Sequence, residues 1–507
     1  MEFLDPKKMR SHQIRLLVGY VLMAIAVVLA ATLLLDQAQG FGLKDGKVIQ
    51  KGLVFVRSSP GSADVELNGR RIDTTEARLE PEAGAYTLKL TRDGYHDWQR
   101  ALTVEGGSVQ HVSYPWLIPR QLASPVIANY ETLPALATQS PDRRWLIVQQ
   151  PGQLATFDVY DAKDPEQTAL QKKPVALPAG IFGIQPGQAS RLEVEDWSND
   201  NKHLLLRHIS GDQSEYLLFA RDTPATSVNL TRTFGLTPGL VLTLQDKKHD
   251  QYFIHDPVTK TLSTLSLSDP QSVPMLTGVL AYETYGTDTV LYVTPSAEQP
   301  GKVQLRLYEN RRQYAVRTME PSPQYLLAMS RYDRSWLLMA GSPVEDRVYV
   351  YRDAGSALAD SPERAPVPVA VLKVADPTDI SFSANSQLLM AQRAAPGAAG
   401  VDIAVYDAEY DRSHTYRIER ALDAPQSKVS WLDSHHLHYV SSGRSLVFDY
   451  DGTNTQVLGA QDPALPAMFD TGYVTLYGLS RPTPSVGNPA PTAGLLTATP
   501  LRTAEDR

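Results

Sequence analysis

The residues best suited to chemistry in this chain are few and scattered. "HHLH" places His435, His436 and His438 close together. On a strand, His436 and His438 share a face, and two imidazoles on one face are the beginning of a zinc site. No third ligand follows from the spacing, and solvated histidines near the rim of a sheet satisfy the same pattern. "DYDGTN", Asp449 to Asn454, has the look of a calcium loop. Such a loop ends in a bidentate glutamate about 12 residues from its first ligand, and Ala460 stands there. Related positions carry "HDPVTK" and "YDAKDP", which predict a hairpin turn. "HISGD", His208 to Asp212, holds a histidine, a serine and an aspartate, but a triad is defined by geometry and not by adjacency. It predicts a strand end followed by a Gly-Asp turn.

The chain contains no Gly-x-Ser-x-Gly elbow, no His-Glu-x-x-His pair and no Gly-x-x-x-x-Gly-Lys phosphate loop. No catalytic, cofactor-binding or metal-ligating residue is therefore assigned, and no cofactor is expected. Carboxylates assembled from different blades of a propeller would escape this reading. The formal net charge of −8 argues against a nucleic-acid partner, because phosphate neutralisation needs a basic face. Cysteine is absent, which excludes disulfides, thiolate metal sites and cysteine nucleophiles. A chain of 507 residues that is 42% hydrophobic folds without such staples.

The elements that must position these groups begin with "LLVGYVLMAIAVVLAATLLL", Leu16 to Leu35, uncharged throughout. At about 1.5 Å rise per residue it spans roughly 30 Å, the thickness of a hydrocarbon layer. Lys7, Lys8, Arg10 and Arg15 precede it. The expectation is a transmembrane helix at 16–35 acting as an uncleaved signal anchor, with residues 1–15 cytoplasmic and all later domains extracytoplasmic. Ala26 and Ala30 are small residues at helix-pair spacing, a common background in apolar helices.

Residues 36–51 form a polar, glycine-containing stalk, and strands follow. "AYTLKLTRDG" puts Tyr86, Leu88 and Leu90 on one face and Thr87, Lys89 and Thr91 on the other. Period-two alternation between Asn-Gly and Asp-Gly turns predicts a half-buried antiparallel sheet, with Tyr95 and Trp98 filling its core. Three pieces, "SSPGSADVELNG", "AGAYTLKLTRDGYHDW" and "ALTVEGGSVQHVSY", make 52–117 resemble a PEGA domain, the small extracytoplasmic β-sandwich of bacterial and archaeal surface proteins. The family's tetrapeptide runs Pro, any residue, Gly, Ala. Here it reads Pro60, Gly61, Ser62, Ala63, with the glycine moved one place. The resemblance implies a spacer or a wall- or protein-contacting module and transfers no catalytic residue.

From 125 to 479 a turn followed by a β-rich run recurs. It appears as "SPDRRWLIV", "SNDNKHLLL", "SRYDRSWLLM", "SANSQLLMAQ" and "LDSHHLHYV", and more weakly as "TPGLVLTL", "YGTDTVLYV" and "DTGYVTLYG". A second run with a polar hairpin follows, as in "TFDVYDAKDPEQTAL", "YFIHDPVTKTL" and "LVFDYDGTNTQVL". A spacing of roughly 40–55 residues is that of propeller blades, and the region resembles degenerate WD40- and TolB-like propellers. Tandem immunoglobulin-like sandwiches are the structural alternative. Residues 480–507 are Pro/Thr-rich, with "LLTATPL" a candidate closing strand.

The expected architecture is all-β apart from one N-terminal transmembrane helix: a small β-sandwich followed by a seven- or eight-bladed β-propeller. The expected role is non-catalytic, a membrane-anchored extracytoplasmic binding or scaffold protein whose propeller meets a protein or a cell-wall glycan partner. The alternatives are a propeller hydrolase acting on envelope polysaccharide or peptide, and a self-associating surface component.

Overall fold

The computed structural model describes residues 6–38, 41–44, 47–163, 170–187, 189–361, 364–394, 400–423, 428–482 and 492–506. Most of the Pro/Thr-rich stretch after Ser480 and part of "AKDPEQTAL" lie outside these residues. The chain divides into Met1–Arg120 with Asp506, and Gln121–Glu505 with Arg507.

A helix, α1 (Pro6–Ala38), covers the apolar N-terminal run. Here the expectation of a transmembrane helix at 16–35 is corrected: among the described residues no helix is long and apolar enough to cross a membrane. The signal anchor and the single-pass topology built on that span lose their support with it. Ala26 and Ala30 are exposed.

Residues 53–112 form two sheets. One has four strands in the order Arg70–Thr74, Asp64–Leu67, Gly84–Thr91, Trp98–Val104. The other has three, with Leu53–Val56 between Ala77–Leu79 and Val109–Val112. Val54 and Val56 from one sheet and Val65, Leu88 and Leu90 from the other share a core with Tyr95 and Trp98, Tyr86 lying partly buried against it. The alternation along 86–91 is what lets a single sheet face bury. Asn68 and Gly69 both take positive φ, the backbone of a tight primed hairpin turn. In the Pro60–Ala63 turn the left-handed residue is Ser62, at φ 59°, the third position, which is the place of glycine in the family tetrapeptide. The glycine is displaced but the backbone conformation is not.

Among the described residues of the second unit, eight four-stranded antiparallel sheets follow one another. We number them blades 1–8: 137–176, 191–229, 241–277, 281–319, 326–372, 379–418, 430–460, and 468–500 with 126–130. In blades 1–7 the strands pair in chain order. Blade 8 takes its fourth strand from the start of the unit, Val126–Tyr130 pairing with Gly494–Pro500. This arrangement is a β-propeller closed on itself.

Each blade's second and third strands are buried on both faces, which is why they read as continuous apolar runs and not as alternation. In "HLLL", Leu204 and Leu206 pack toward blade 1 while Leu205 packs toward blade 3. In blade 5, Leu338 and Ala340 meet blade 4 while Leu337 and Met339 meet blade 6. Burying each such leucine stabilises by about 1.5–3 kcal/mol. Between blades 8 and 1, Leu146 and Tyr160 pack with Tyr477 and Leu479.

Blade 3 departs from the repeat register expected above. "VLTL" is its first strand, so the turn before its second strand is 245–250, "QDKKHD", and not "TPG". "HDPVTK" accordingly joins its second and third strands. "DYDGTN" instead joins the third and fourth strands of blade 7.

The ring is also closed by hydrogen bonds between first strands. Gln139 Nε2 donates to Phe469 O (2.5 Å) and Phe469 N–H donates to Gln139 Oε1 (3.1 Å). Two expectations follow. Gln139→Ala removes both bonds and lowers the unfolding free energy of the propeller by about 1–3 kcal/mol, measurable by urea denaturation; an unchanged midpoint would show that the closure rests on apolar packing alone. Ser62→Gly relieves a left-handed non-glycine residue and gains about 0.5–1 kcal/mol after the added chain entropy of glycine is counted. Hydrogen exchange at the Val65 and Leu88 amides reports it as slower opening.

Candidate functional site

The turns between first and second strands all lie at one end of the propeller, because successive strands are antiparallel. Four share one construction. In blade 1, Ser140 N–H donates to Trp145 O (2.9 Å), Trp145 N–H donates to Ser140 Oγ (2.9 Å) and Arg143 N–H donates to Ser140 O (2.8 Å). Blade 6 repeats this with Ser383, Ser386 and Leu388, and blade 8 with Asp470, Tyr473 and Thr475. Blade 2 makes the backbone part through Ser198, Asn201 and His203. In blades 1, 2 and 6 the third residue is Asp or Asn, whose side chain accepts the backbone N–H two positions on; in blade 8 it is Gly472. The fourth is left-handed: Arg143 at φ 59°, Asn201 at 58°, Ser386 at 64° and Tyr473 at 53°.

Those fourth residues reach the neighbouring blades. Asp142 N–H donates to Asn201 Oδ1 (3.0 Å), joining blades 1 and 2. Asn199 N–H donates to Lys247 O (2.8 Å), joining 2 and 3, and Gln245 Nε2 donates to Thr287 O (2.7 Å), joining 3 and 4. Tyr285 meets Trp336 edge-on at 4.9 Å between blades 4 and 5. Ser330 and Ser386 hydroxyls bond at 2.6 Å between 5 and 6. Ala384 N–H faces Asp433 O between 6 and 7 (3.4 Å), and Tyr473 Oη donates to Leu432 O between 7 and 8 (2.8 Å). Thr471 Oγ1 completes the circuit to Asp142 O (3.2 Å). Arg143 lies 3.8 Å over the Tyr473 ring and donates to Leu432 O (3.0 Å), spanning three blades.

The structure places the three histidines of "HHLH" with separate partners. His436 Nδ1 lies 2.7 Å from Asp433 Oδ2, and its Nε2 faces Asp449 Oδ1 at 3.6 Å. His438 Nε2 bonds Ser445 Oγ at 2.8 Å, and burial pushes that imidazole down to about 4. His435 rests against Tyr450. Burial alone would raise the Asp433 carboxyl, but His436 and the backbone N–H groups of His435 and His436 hold it at about 2. Burial opposes the imidazolium of His436, yet Asp433 and Asp449 raise its pKa above the ordinary value. In the "DYDGTN" turn, Asp449 accepts from Asn454 Nδ2 (2.8 Å) and Asp451 from Thr453 Oγ1 (2.6 Å).

"HISGD" does not bring its residues together. His208 is fully buried and its Nδ1 bonds Glu215 Oε1 across the hairpin (2.8 Å), while Ser210 bonds Ser190 (2.9 Å) and Asp212 is exposed. Glu215 also accepts from Gly183 N–H (2.9 Å) and Asn229 Nδ2 (2.6 Å). It is opposed by its burial, but these donors keep its carboxyl below the usual range. The pair fastens the 177–190 connection to blade 2.

Sequence reasoning missed two features. Glu283, on the first strand of blade 4, is pushed up to about 7 by burial. Asp200, His203 and His249 form the group of three metal-ligating side chains that the described residues bring together, their donor atoms within 4.8 Å of one another. Asp200 and His203 stand in the turn of blade 2 and His249 in that of blade 3. Only the true register of blade 3 shows these turns as neighbours.

Residues 51–116 match the PEGA domain model. No curated protein matches the chain. Among solved structures, the chain is similar to an oligogalacturonate lyase in complex with manganese, at 11% identity and a TM-score of 0.40 over 74% of this chain and 99% of that one. It is also similar to the Dos1 propeller, at 10% identity and a TM-score of 0.44 over 75% and 96% of the two chains. A third likeness is to the Cps50 (Swd1) β-propeller domain of Myceliophteria thermophila, at 11% identity and a TM-score of 0.38 over 66% and 99%.

The Asp433–His436 pair carries a pH signature. The depressed Asp433 contributes stability above the ordinary carboxylate range, lost as pH falls through that range toward about 2. The raised His436 contributes stability below its unfolded value of about 6.5, lost as pH rises through its folded value. The pair is therefore strongest between about pH 4 and 6.5. Asp433→Asn should cost about 2 kcal/mol in that window and less at pH 8, read from urea midpoints at both pH values. An equal cost at both would mean that His436 is not charged.

Proposed function

We propose that the chain is an extracytoplasmic binding or scaffold protein that presents the turn face of its propeller to a protein or envelope-glycan partner. The observation that carries this reading is the closed circuit of inter-blade bonds on that face. It makes a rigid platform in which several carboxylates are spent on holding turns. Asp433, Asp200 and Asp161 are kept as anions by backbone donors and neighbouring cations. A group held far from its titration point is suited to fixing a turn and unsuited to passing protons at neutral pH. Around these buried constraints, Pro141, Asn199, Lys202, Ala384, Asn385 and Thr471 are exposed, a mixed surface of the kind that adaptable protein or sugar contacts use. The PEGA domain is typical of extracytoplasmic proteins and supports that location for the propeller.

A photo-crosslinking residue placed at Asn199 or at Thr471 tests the face. Val258, 86% exposed in the turn at the opposite end of blade 3, is the control. Both turn-face positions should capture the same discrete species in intact cells while Val258 does not. Capture from Val258 alone, or from none of the three, would sink the proposal.

A further inference from the structure

We propose that Asp200, His203 and His249 form a binding site for one divalent transition-metal ion of the zinc class, clamping blade 2 to blade 3. Asp200 Oδ1 accepts the backbone N–H groups of Lys202 (2.8 Å) and His203 (3.1 Å), so the carboxylate cannot swing. Its other oxygen, Oδ2, faces two ring nitrogens: His203 Nδ1 at 2.6 Å and His249 Nδ1 at 3.3 Å. The two imidazoles lie stacked, centroids 4.1 Å apart and planes 11° from parallel. Imidazole is the commonest protein ligand for such a metal, and it binds through a ring nitrogen of the kind both rings turn toward Asp200 Oδ2.

With metal–ligand bonds of about 2.0–2.2 Å, two ligand atoms of a tetrahedral site sit roughly 3.3–3.5 Å apart. The Asp200–His249 pair has that separation at 3.3 Å, and the Asp200–His203 pair, hydrogen-bonded at 2.6 Å, must part by roughly 0.7 Å to admit the ion. His249 is 41% exposed, which leaves its ring room to turn toward the ion, while His203, 20% exposed, already directs Nδ1 at the shared oxygen. Two imidazoles and one carboxylate select zinc, cobalt or nickel over magnesium and calcium, which take oxygen ligands. Three protein ligands leave a fourth position open to water or to a donor from outside. The surrounding charges are balanced: Lys247 Nζ is 3.3 Å from Asp196 and Lys248 Nζ 3.3 Å from Asp246. Lys202 and Asp250 stand on the same turns.

The site bridges two blades, so its occupation adds a link to the ring at a junction otherwise made by Asn199, Lys247 and Asp196. The test uses the full chain without a histidine tag, stripped with chelator. Zinc chloride is titrated by calorimetry and cobalt chloride by visible absorption. The expected result is one equivalent bound, a rise in melting temperature with zinc, and a d–d spectrum with cobalt. Binding should weaken in acid, because protons compete with the metal for ligand nitrogens and oxygens. Asp200→Asn and His249→Gln should each weaken binding at least about tenfold, and His249→Gln, whose side chain takes no part in the blade 2 turn, should leave the metal-free melting temperature in place. His435→Gln is the control and should bind as the parent does. No binding by the parent, equal binding by His249→Gln, or equal loss in the His435→Gln control would overturn the proposal, the last by showing adventitious capture at surface histidines.

Discussion

A four-stranded sheet that is apolar on both faces needs a neighbour on each side, and only a closed ring gives every sheet two. Everything else in the propeller answers to that requirement. Leu204 and Leu205 are adjacent in sequence and serve opposite blades, so neither blade can form its core alone. The ring must also end without an exposed edge. Val126–Tyr130, paired with Gly494–Pro500, supplies the last sheet from the beginning of the unit. This ties closure to the longest sequence separation available, a connection whose loop-closure entropy is repaid only when all eight sheets are in place.

Apolar faces alone permit neighbouring blades to slide, since dispersion and the hydrophobic effect are non-directional. The turn face supplies the direction. Hydrogen bonds, and between blades 4 and 5 the Tyr285–Trp336 ring contact, run from blade to blade with a residue-specific partner at each junction, and Arg143 spans three blades through Tyr473 and Leu432. The same economy explains the candidate chemistry that dissolved on inspection. His436 sits where it satisfies Asp433, and His208 where it satisfies Glu215. Each imidazole-carboxylate pair would suggest catalysis in isolation and is committed to a turn or a connection in place.

How much of this was legible depended on which physical signal each residue carried. The sandwich was readable because exposure alternates along 86–91, and burial of Leu88 and Leu90 follows from period two. The propeller was readable from turns rich in Asp and Asn, each followed by a β-rich run, recurring at a blade-like spacing. Blade 3 was not, because its turn replaces serine with Gln245 and puts two successive left-handed residues, Asp246 and Lys247, in place of one. Its second strand, "QYFIHD", ends in Asp-Pro and so imitates a third strand. That single slip hid the proximity of His249 to Asp200. The N-terminal run failed for a different reason: hydropathy along 16–35 describes a composition, and among the described residues no helix is long and apolar enough to cross a membrane. The closeness of His436 and His438 was real, but sharing a strand face says nothing about which acceptor each ring finds first.

The left-handed residues of the turns show why this face resists reading as mere loop. A non-glycine residue in that region costs about 1–2 kcal/mol, and glycine would remove the cost. Yet Arg143, Asn201, Ser386 and Tyr473 hold the position in four blades. In each, the side chain makes a bond to another blade: to Leu432 O, from Asp142 N–H, to Ser330, and to Leu432 O again. Left-handed geometry turns the side chain away from its own sheet, so the strain is what aims it. Glycine would relax the turn and delete the link, leaving two blades joined by an interface that can slip. The backbone cost at these positions is thus inseparable from the rigidity of the face, and a rigid, residue-specific face is what recognition of a partner requires.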